Sequence, residues 1–171
     1  MDVYYEHITE IRKTPRDIAF LIILWLLVVG FCVAAFLFIG VFNPLFILLC
    51  LAAFYGGIML TKKLNVEFEY IFTNGEIDID MITAKSERKR METFNVKDIV
   101  RVEKYNRENP LSRRENIEKA NVYCNKDDND LYTLLIKRRN EEFCVTLQLN
   151  ETFREKILPF MDKIIARDAF K

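Results

Sequence analysis

The residues that could perform acid–base or nucleophilic chemistry are few and scattered. His7 is the single histidine of the chain, and it lies far in sequence from any candidate nucleophile. Because nucleophilic catalysis needs a base within hydrogen-bonding distance of its nucleophile, we expect no catalytic residue. We interpret His7 as a solvated or interfacial side chain. The sequence therefore predicts that the protein is not an enzyme.

Two groups of carboxylates resemble metal-binding patterns only superficially. Asp78 and Asp80 alternate along a predicted strand, and we expect them on its solvent face. The loop 125–130 contains three aspartates but lacks the glycine and the terminal bidentate glutamate of a calcium-binding EF-hand loop. We therefore expect no bound metal and no cofactor.

A basic group is the strongest candidate for a contact surface. Six basic side chains are candidate contacts for a lipid or a partner: Lys85, Arg88, Lys89, Arg90, Arg113 and Arg114. Near an anionic membrane surface each such charge contributes about 1 kcal/mol of attraction. Glu87 and Glu92 interrupt the group. A specific headgroup site, nonspecific surface docking and a plain solvated hairpin all remain open.

These residues flank a segment of very different composition. Residues 18–61 contain no Asp, Glu, Lys, Arg or His. Within them, 18–42 and 45–61 are each long enough for a membrane-spanning helix, for which about 17 to 25 residues suffice. Asn43-Pro44 interrupts the helical pattern between them. We predict a two-helix transmembrane hairpin over 18–61. The alternatives are a buried hairpin of a soluble protein and a cleaved signal peptide.

The charges that flank this hairpin predict its orientation. Arg12, Lys13 and Arg16 precede the first span, and Lys62 and Lys63 follow the second. By the positive-inside rule both termini face the cytoplasm. The protein is thus expected in the cell membrane as a multi-pass protein. Since neither span contains an ionisable acid or base, we see no carrier for proton or ion transport.

The sequence after the hairpin changes to a period of two, which is typical of half-buried strands. Alternating apolar residues run from Val66 to Phe72 and from Ile77 to Met81, with Asn74-Gly75 between them. Asn-Gly favours a type I′ turn, which requires positive φ at both central positions. The resulting register places apolar residues opposite each other on one face.

The rest of the chain predicts further strands and a C-terminal helix. Strands are expected at 90–96, 99–105, 120–124, 131–137 and 142–149. A short helical turn is expected near 113–118. The final helix should cover about 151–168, capped by Asn150 or Thr152, and Pro159 should kink or divide it. About seven antiparallel strands and one amphipathic helix is the element order of a pleckstrin-homology-like (PH-like) barrel.

Three stretches carry a resemblance to known proteins. They are EYIFTNGEIDI at 69–79, the basic RKR at 88–90 and VKDIVRV at 96–102. Together they resemble the opening of bacterial PH-like domains that follow paired membrane helices. The whole chain is similar to an uncharacterised family of bacterial two-span membrane proteins with a C-terminal PH-like domain. The resemblance implies a fold and supplies no reaction.

Charge and cysteine content narrow the function classes. Lys and Arg together number 25, as do Asp and Glu, so the basic footprint of a nucleic-acid-binding protein is missing. The four cysteines show no C-x-x-C spacing, and we expect free thiols.

We predict three regions: a cytoplasmic N-terminal segment 1–17, the transmembrane hairpin 18–61 and a cytoplasmic PH-like domain 64–171. The predicted function is a membrane-anchored, non-enzymatic interaction module that binds an unknown protein partner or another copy of itself. The alternative is docking to a lipid headgroup or an anionic membrane through the basic loop 85–90.

Overall fold

The computed structural model describes residues 3–40, 43–108, 110–115, 117–138 and 141–170. These residues form two compact units. One unit contains the N-terminal strand as far as Ile11, then Glu67–Ile82 and the chain from Arg88 onward. The other contains Arg12–Val66 and Thr83–Glu87.

Two apolar helices make up most of the second unit. Helix α1 covers Pro15–Ile39 and helix α2 covers Pro44–Lys63, and both are long and apolar enough to cross a membrane. Helix α1 begins three residues before the predicted span because Thr14 and Asp17 form a reciprocal capping box. Residues 41 and 42, at the end of the first predicted span, lie outside the described residues.

Helix α2 begins at Pro44, one residue before the predicted span 45–61. Asn43 caps it by accepting a hydrogen bond from Leu45 N at 3.0 Å, and Pro44 occupies the first helical position. Proline suits this position because its missing N–H would have no helical partner there. The helix continues to Lys63, so it includes the basic pair predicted to flank the span.

The first sheet of the other unit has four strands in the order β1-β2-β3-β4. Strand β1 covers Tyr4–Glu10, β2 Val66–Thr73, β3 Glu76–Thr83 and β4 Glu87–Asn95. Asn74 and Gly75, which join β2 to β3, have φ values of 49° and 98°. Both values are positive, as a type I′ turn requires. The predicted hairpin turn is confirmed.

Strand β1 is the main addition to the predicted fold. It pairs antiparallel with β2 over its whole length, from Tyr4 opposite Thr73 to Glu10 opposite Glu67. No secondary structure was predicted for residues 1–17. The N-terminal segment instead supplies an edge strand of the sheet, although β1 and β2 are separated in sequence by both apolar helices.

The second sheet has the order β5-β7-β8-β6. Strand β5 covers Ile99–Lys104, β6 Ala120–Val122, β7 Leu131–Arg138 and β8 Glu141–Gln148. Strand β6 pairs parallel with β8, from Ala120 opposite Cys144. The prediction of about seven antiparallel strands is therefore wrong in two details, since the described residues form eight strands and one of their pairings is parallel.

The C-terminal helical segment is divided, as Pro159 predicted. Helix α4 covers Glu151–Ile157, a 3₁₀ turn covers Leu158–Phe160 and helix α5 covers Lys163–Asp168. Asn150 caps α4 by accepting a hydrogen bond from Phe153 N at 2.8 Å. The alternative cap at Thr152 is wrong, because Thr152 already lies inside the helix. A short helix, α3, covers Leu111–Arg114, close to the predicted helical turn.

The core lies between the two sheets and under α4. The first sheet contributes Tyr70, Phe72, Ile77 and Ile79, all fully buried. The second sheet and the helical segment supply further fully buried residues: Leu134, Ile136, Val145, Leu147, Phe153 and Ile157. Burial of an aliphatic or aromatic side chain of this size stabilises a fold by about 1.5–3 kcal/mol. The alternation that buries these residues also places their neighbours on the outer faces of the two sheets.

Candidate functional site

The structure distributes the predicted basic residues over different elements. Arg88, Lys89 and Arg90 lie in β4, on the first sheet. Lys85 lies in the turn before β4 and belongs to the unit with the apolar helices. There the amide of Ala84 donates to Asn65 O at 2.9 Å, so the turn lies beside the segment that follows α2.

Arg88 and Arg90 are bound to carboxylates on the outer face of the first sheet. Arg88 Nη2 lies 2.8 Å from Glu69 Oε2, and Arg88 Nη1 lies 3.9 Å from Asp80 Oδ2. Arg90 Nη1 lies 2.7 Å from Asp78 Oδ1, and Arg90 Nε forms an ion pair with Asp80 Oδ1. Two arginines thus neutralise most of the charge of three carboxylates from β2 and β3.

The two carboxylates at the centre of this network are buried. The side chains of Glu69 and Asp80 are only 5% and 4% exposed, while both arginines are about half exposed. Burial raises the pKa of Glu69, Arg88 opposes the rise, and the nearby charges of Glu6 and Asp80 add to it. Since removing one partner would leave a buried charge unpaired, the arginines have a structural role at this face.

This network corrects the interpretation of Asp78 and Asp80 as solvent-facing strand residues. Asp80 is buried, and Asp78 also accepts a hydrogen bond from Thr93 Oγ1 at 2.7 Å. Alternation along β3 predicted the correct face. It could not show that arginine side chains from β4 cover that face.

The remaining basic candidates do not join this group. Lys89 is exposed, and no ion pair to it occurs among the residues that the structure describes. Arg113 lies in α3 and donates to Glu108 O at 3.4 Å. Helix α3 packs through Leu111 against Leu135 and Cys144, on the outer face of the second sheet. Arg88 and Arg113 therefore lie on opposite outer faces of the domain. The side chain of Arg114 lies outside the described part of the chain.

The outer face of β1 exposes two large apolar side chains. Tyr4 is 56% exposed and Ile8 50%, and Glu6 lies between them. Elsewhere in this unit, the exposed large apolar side chains of the described residues are Val100 and Ile164. Strand β1 is an edge of the first sheet, and these two side chains lie on its outer face.

The inner face of β1 is held by three asparagines. Val3 N donates to Asn74 Oδ1 at 2.8 Å, and Asn74 N donates back to Val3 O at 3.0 Å. Asn125 Nδ2 donates to Glu10 O at 2.8 Å, and Asn150 Nδ2 donates to Tyr5 Oη at 3.0 Å. These bonds hold β1 near its two ends.

His7 belongs to this inner face, so its interpretation as a solvated side chain is wrong. Its ring lies 5.9 Å from that of Tyr70, and burial lowers its pKa below 6.5. Its Nδ1 lies 3.2 Å from Asn150 Nδ2. Because Asn150 Oδ1 accepts the α4 capping bond, Nδ2 is a donor and Nδ1 of His7 must be the acceptor. The neutral form of His7 that fits this contact carries its proton on Nε2, which is buried and has no hydrogen-bond partner among the described residues.

The acidic loop 125–130 contributes to a polar cavity. Asn125 Nδ2 donates to Asp128 Oδ2 at 2.9 Å, and Arg107 Nη1 lies 3.0 Å from Asp127 Oδ1. The cavity measures about 400 Å³ and is lined by residues including Lys104, Tyr105, Lys126 and Asp130. Among the described residues, no group of three or more His, Cys, Asp and Glu side chains is placed to hold a metal ion.

The two cysteines of the sheets are buried and lie in apolar or backbone contacts. Burial raises the pKa of Cys124 to about 12 and that of Cys144 to about 11. Cys124 Sγ donates to Thr146 O at 3.6 Å. At neutral pH these thiols stay protonated and unreactive.

Two packed sheets closed by a C-terminal helical segment, preceded by two long apolar helices, define a protein with a PH-like domain. The chain belongs to the bacterial PH-like domain family (DUF6106), whose model matches residues 1–167. The match includes β1 and both apolar helices. No curated protein and no solved structure matches this chain. Fold and family together indicate a protein or lipid interaction module.

Proposed function

We propose that this protein is a membrane-anchored, non-enzymatic interaction module. In this proposal α1 and α2 cross the cell membrane, and the PH-like domain binds a protein partner or another copy of the chain at the cytoplasmic surface. The apolar length of both helices supports the anchor, and the exposed apolar side chains of Tyr4 and Ile8 on β1 support the contact. The side chains that could perform acid–base or nucleophilic chemistry are scattered over the domain. This favours a binding role over a catalytic one.

The observation that carries the proposal is the pairing of β1 with β2. Glu10, just before α1, lies opposite Glu67, just after α2. The chain therefore leaves and re-enters the domain at neighbouring positions of one sheet. A chain that crosses a membrane between these points must cross it an even number of times, so the ends of the hairpin face the same side.

The flanking charges favour the cytoplasm for that side. Arg12, Lys13 and Arg16 lie at the start of the hairpin, and Lys62 and Lys63 lie at its end. This distribution is typical of cytoplasmic flanks. With no Asp, Glu, Lys, Arg or His between residues 18 and 61, the hairpin is better suited to anchoring than to transport.

The β1 edge is the surface we assign to the partner. A free strand edge can pair with an extended segment of another chain. Tyr4 and Ile8 would add apolar burial to those backbone hydrogen bonds. Either a second protein or a second copy of this chain could supply the paired segment.

Site-specific photocrosslinking in living cells tests this surface in the full-length protein. A photoreactive amino acid replaces Ile8 in one variant and Val100 in a control variant, since both side chains are similarly exposed. We expect a discrete crosslinked partner or dimer from position 8 and none from position 100. Equal products from both positions, or none from position 8, would refute the assignment.

Lipid docking is the second candidate, and two lysines favour it. Lys85 lies beside the segment that follows Lys62 and Lys63, and Lys89 is exposed on β4. The ion pairs of Arg88 and Arg90 weigh against a larger basic site. In full-length protein reconstituted into nanodiscs, anionic lipid should slow hydrogen exchange at residues 84–90. The K85Q and K89Q variants should lose this effect; no slowing in the parent excludes lipid docking.

A further inference from the structure

Two loops enclose a polar cavity at one end of the second sheet. One loop follows β5, and the other is the acidic loop 125–130, which precedes β7. The cavity measures about 400 Å³, within the range of small-molecule sites, which is about 300–1,000 Å³. Five lining side chains carry a charge, and they are Lys104, Arg107, Lys126, Asp128 and Asp130. The lining therefore suits a charged, hydrophilic ligand.

Contacts between the two loops fix the walls of the cavity. Tyr105 N donates to Leu131 O at 2.8 Å, where the loops leave the neighbouring strands β5 and β7. Arg107 Nη1 lies 3.0 Å from Asp127 Oδ1, which joins the loops a second time. The walls are thus positioned before any ligand binds, and this lowers the cost of ordering them.

The charges of the lining have both signs. Lys104 and Lys126 are exposed, and neither forms an ion pair within the part of the chain that the structure describes. Arg107 already has a carboxylate partner, and Asp128 and Asp130 add two negative charges. Because like charges brought together oppose binding, a purely anionic or purely cationic ligand is disfavoured. A ligand that carries one positive and one negative group complements both pairs.

A side-chain contact ties the loop 125–130 to the segment that leads into α1. Asn125 Nδ2 donates to Glu10 O at 2.8 Å. Helix α1 begins at Pro15, and the chain from Glu10 to Pro15 spans at most about 18 Å. In the proposed membrane topology the loop is therefore tethered close to the headgroups of the bilayer. This position favours a ligand that occurs as a lipid headgroup.

We propose that the cavity binds a phosphoethanolamine group, in which a phosphate diester carries a primary ammonium. Lys104 and Lys126 donate to the phosphate oxygens, and Asp128 and Asp130 accept from the ammonium. The group has two sources, the headgroup of phosphatidylethanolamine and a soluble ester such as glycerophosphoethanolamine. Binding of the soluble ester is independent of a membrane, whereas the lipid source rests on the membrane insertion proposed above.

The two aspartates favour a primary ammonium over a quaternary one. A primary ammonium donates charge-assisted hydrogen bonds to carboxylates. The trimethylammonium group of phosphocholine has the same charge but no N–H, so it cannot form these bonds. Losing a hydrogen bond to a charged group lowers affinity by about tenfold or more. Selectivity between the two groups therefore measures the role of the carboxylates.

Hydrogen exchange of the full-length protein in uncharged detergent micelles tests the site without a bilayer. Exchange is measured at residues 105–108 and 126–130 during titration with glycerophosphoethanolamine. Glycerophosphocholine and glycerophosphoglycerol are the matched probes, because they lack the N–H donors and the ammonium, respectively. We expect glycerophosphoethanolamine to slow exchange in both loops, with an affinity at least about tenfold above that of either matched probe. No slowing, or equal affinity for all three esters, would overturn the proposal.

Three variants test the assigned roles. K104Q/K126Q should bind the ester at least about tenfold more weakly, whereas K156Q/K163Q, which removes two exposed lysines of the C-terminal helical segment, should bind like the parent. D130N keeps the backbone, because asparagine also tolerates the φ of 57° at this position. It should lose the preference for the primary over the quaternary ammonium. Unchanged affinity in K104Q/K126Q or unchanged selectivity in D130N would contradict the assignment.

Nanodiscs separate the two sources of the group. The full-length protein is reconstituted in phosphatidylcholine with and without phosphatidylethanolamine, two lipids with the same net charge. Slower exchange at 126–130 with phosphatidylethanolamine identifies the lipid as the source. Equal exchange in both nanodiscs, with binding of the soluble ester in micelles, supports the site and identifies the soluble ester. Failure in micelles refutes the cavity site, whereas release of the chain from cell membranes by alkaline carbonate refutes only the anchor.

Discussion

Replacing Asn150 separates two roles of one side chain. Its Oδ1 caps α4, while its Nδ2 donates to Tyr5 and faces Nδ1 of His7. Alanine removes both roles. Aspartate keeps the cap, because it is as good a capping residue as asparagine, but it replaces the donor near His7 by a negatively charged acceptor.

The alanine variant has a predictable loss of stability. A lost helix cap costs about 1 kcal/mol, and a lost hydrogen bond between neutral groups also costs about 1 kcal/mol. N150A should therefore lower the free energy of unfolding by about 2 kcal/mol. N150D should lose much less near pH 6, because Tyr5 can turn its hydroxyl to donate to the new carboxylate.

The pH dependence of the two proteins should have opposite signs. In the parent, burial lowers the pKa of His7 below its ordinary value of 6.5. The unfolded chain then binds the proton first, so this contribution to stability is lost as the pH falls below about 6.5. In N150D the carboxylate favours the charged imidazole and should raise the pKa of His7 above 6.5. In N150D the stabilising contribution of His7 is therefore present below pH 6.5 and is lost as the pH rises through the raised pKa.

Urea unfolding of the full-length protein in detergent micelles measures both effects. Tyrosine fluorescence follows the domain once Tyr55, the one tyrosine in α2, is replaced by phenylalanine in every protein compared, and the single tryptophan, Trp25, lies in α1 and reports separately on the helices. Unfolding free energies at pH 5.5, 6.5 and 7.5 give the slope for each variant. If N150D shows the same slope as the parent, the contact between His7 and residue 150 does not control the pKa of His7, and the reasoning fails.

Two further predictions concern the first sheet. R88A should cost about 1–2 kcal/mol of unfolding free energy, because it leaves the buried carboxylate of Glu69 unpaired while solvent screens part of the loss. The cost of R88A should be smaller in an E69Q background, and equal costs in both backgrounds would refute the pairing. As a control, replacing the exposed neighbour Lys89 by alanine should change the unfolding free energy by no more than about 0.5 kcal/mol. G75A should cost about 1–2 kcal/mol, because φ is 98° and the new Cβ would lie 3.1 Å from an aromatic ring. G56A, with no atom nearby, is its control in the same unfolding assay, and equal stability of the two variants would contradict the argument.

The sequence correctly predicted the turns and helix ends that are determined by residues next to each other in the chain. The Asn74-Gly75 turn follows from two residues that tolerate positive φ. The division of the C-terminal helix follows from Pro159, and the start of α2 follows from Asn43-Pro44. In each case the residues that determine the structure are adjacent in sequence.

The features that the sequence analysis missed depend on contacts between distant residues. The ion pair of Asp80 comes from Arg90 on another strand, and the side-chain contact of His7 comes from Asn150, which lies 143 positions away. Strand β6 has only three residues, and its parallel partner β8 is separated from it in sequence by strand β7. Alternation indicates which face a side chain occupies, but it cannot indicate what covers that face.

Strand β1 shows how the fold and the proposed topology constrain each other. Its seven residues alternate in exposure, but the pattern is short and precedes an apolar segment that dominates the hydropathy of the region. Because β1 precedes α1 and β2 follows α2, the first sheet can close only after both helices have been made. In the proposed membrane topology, pairing of Glu10 with Glu67 requires the helices to return to the side from which they started. A chain that inserted only one helix would leave β1 and β2 on opposite sides of the membrane, with the asparagine contacts to β1 unmade and the core beneath it exposed.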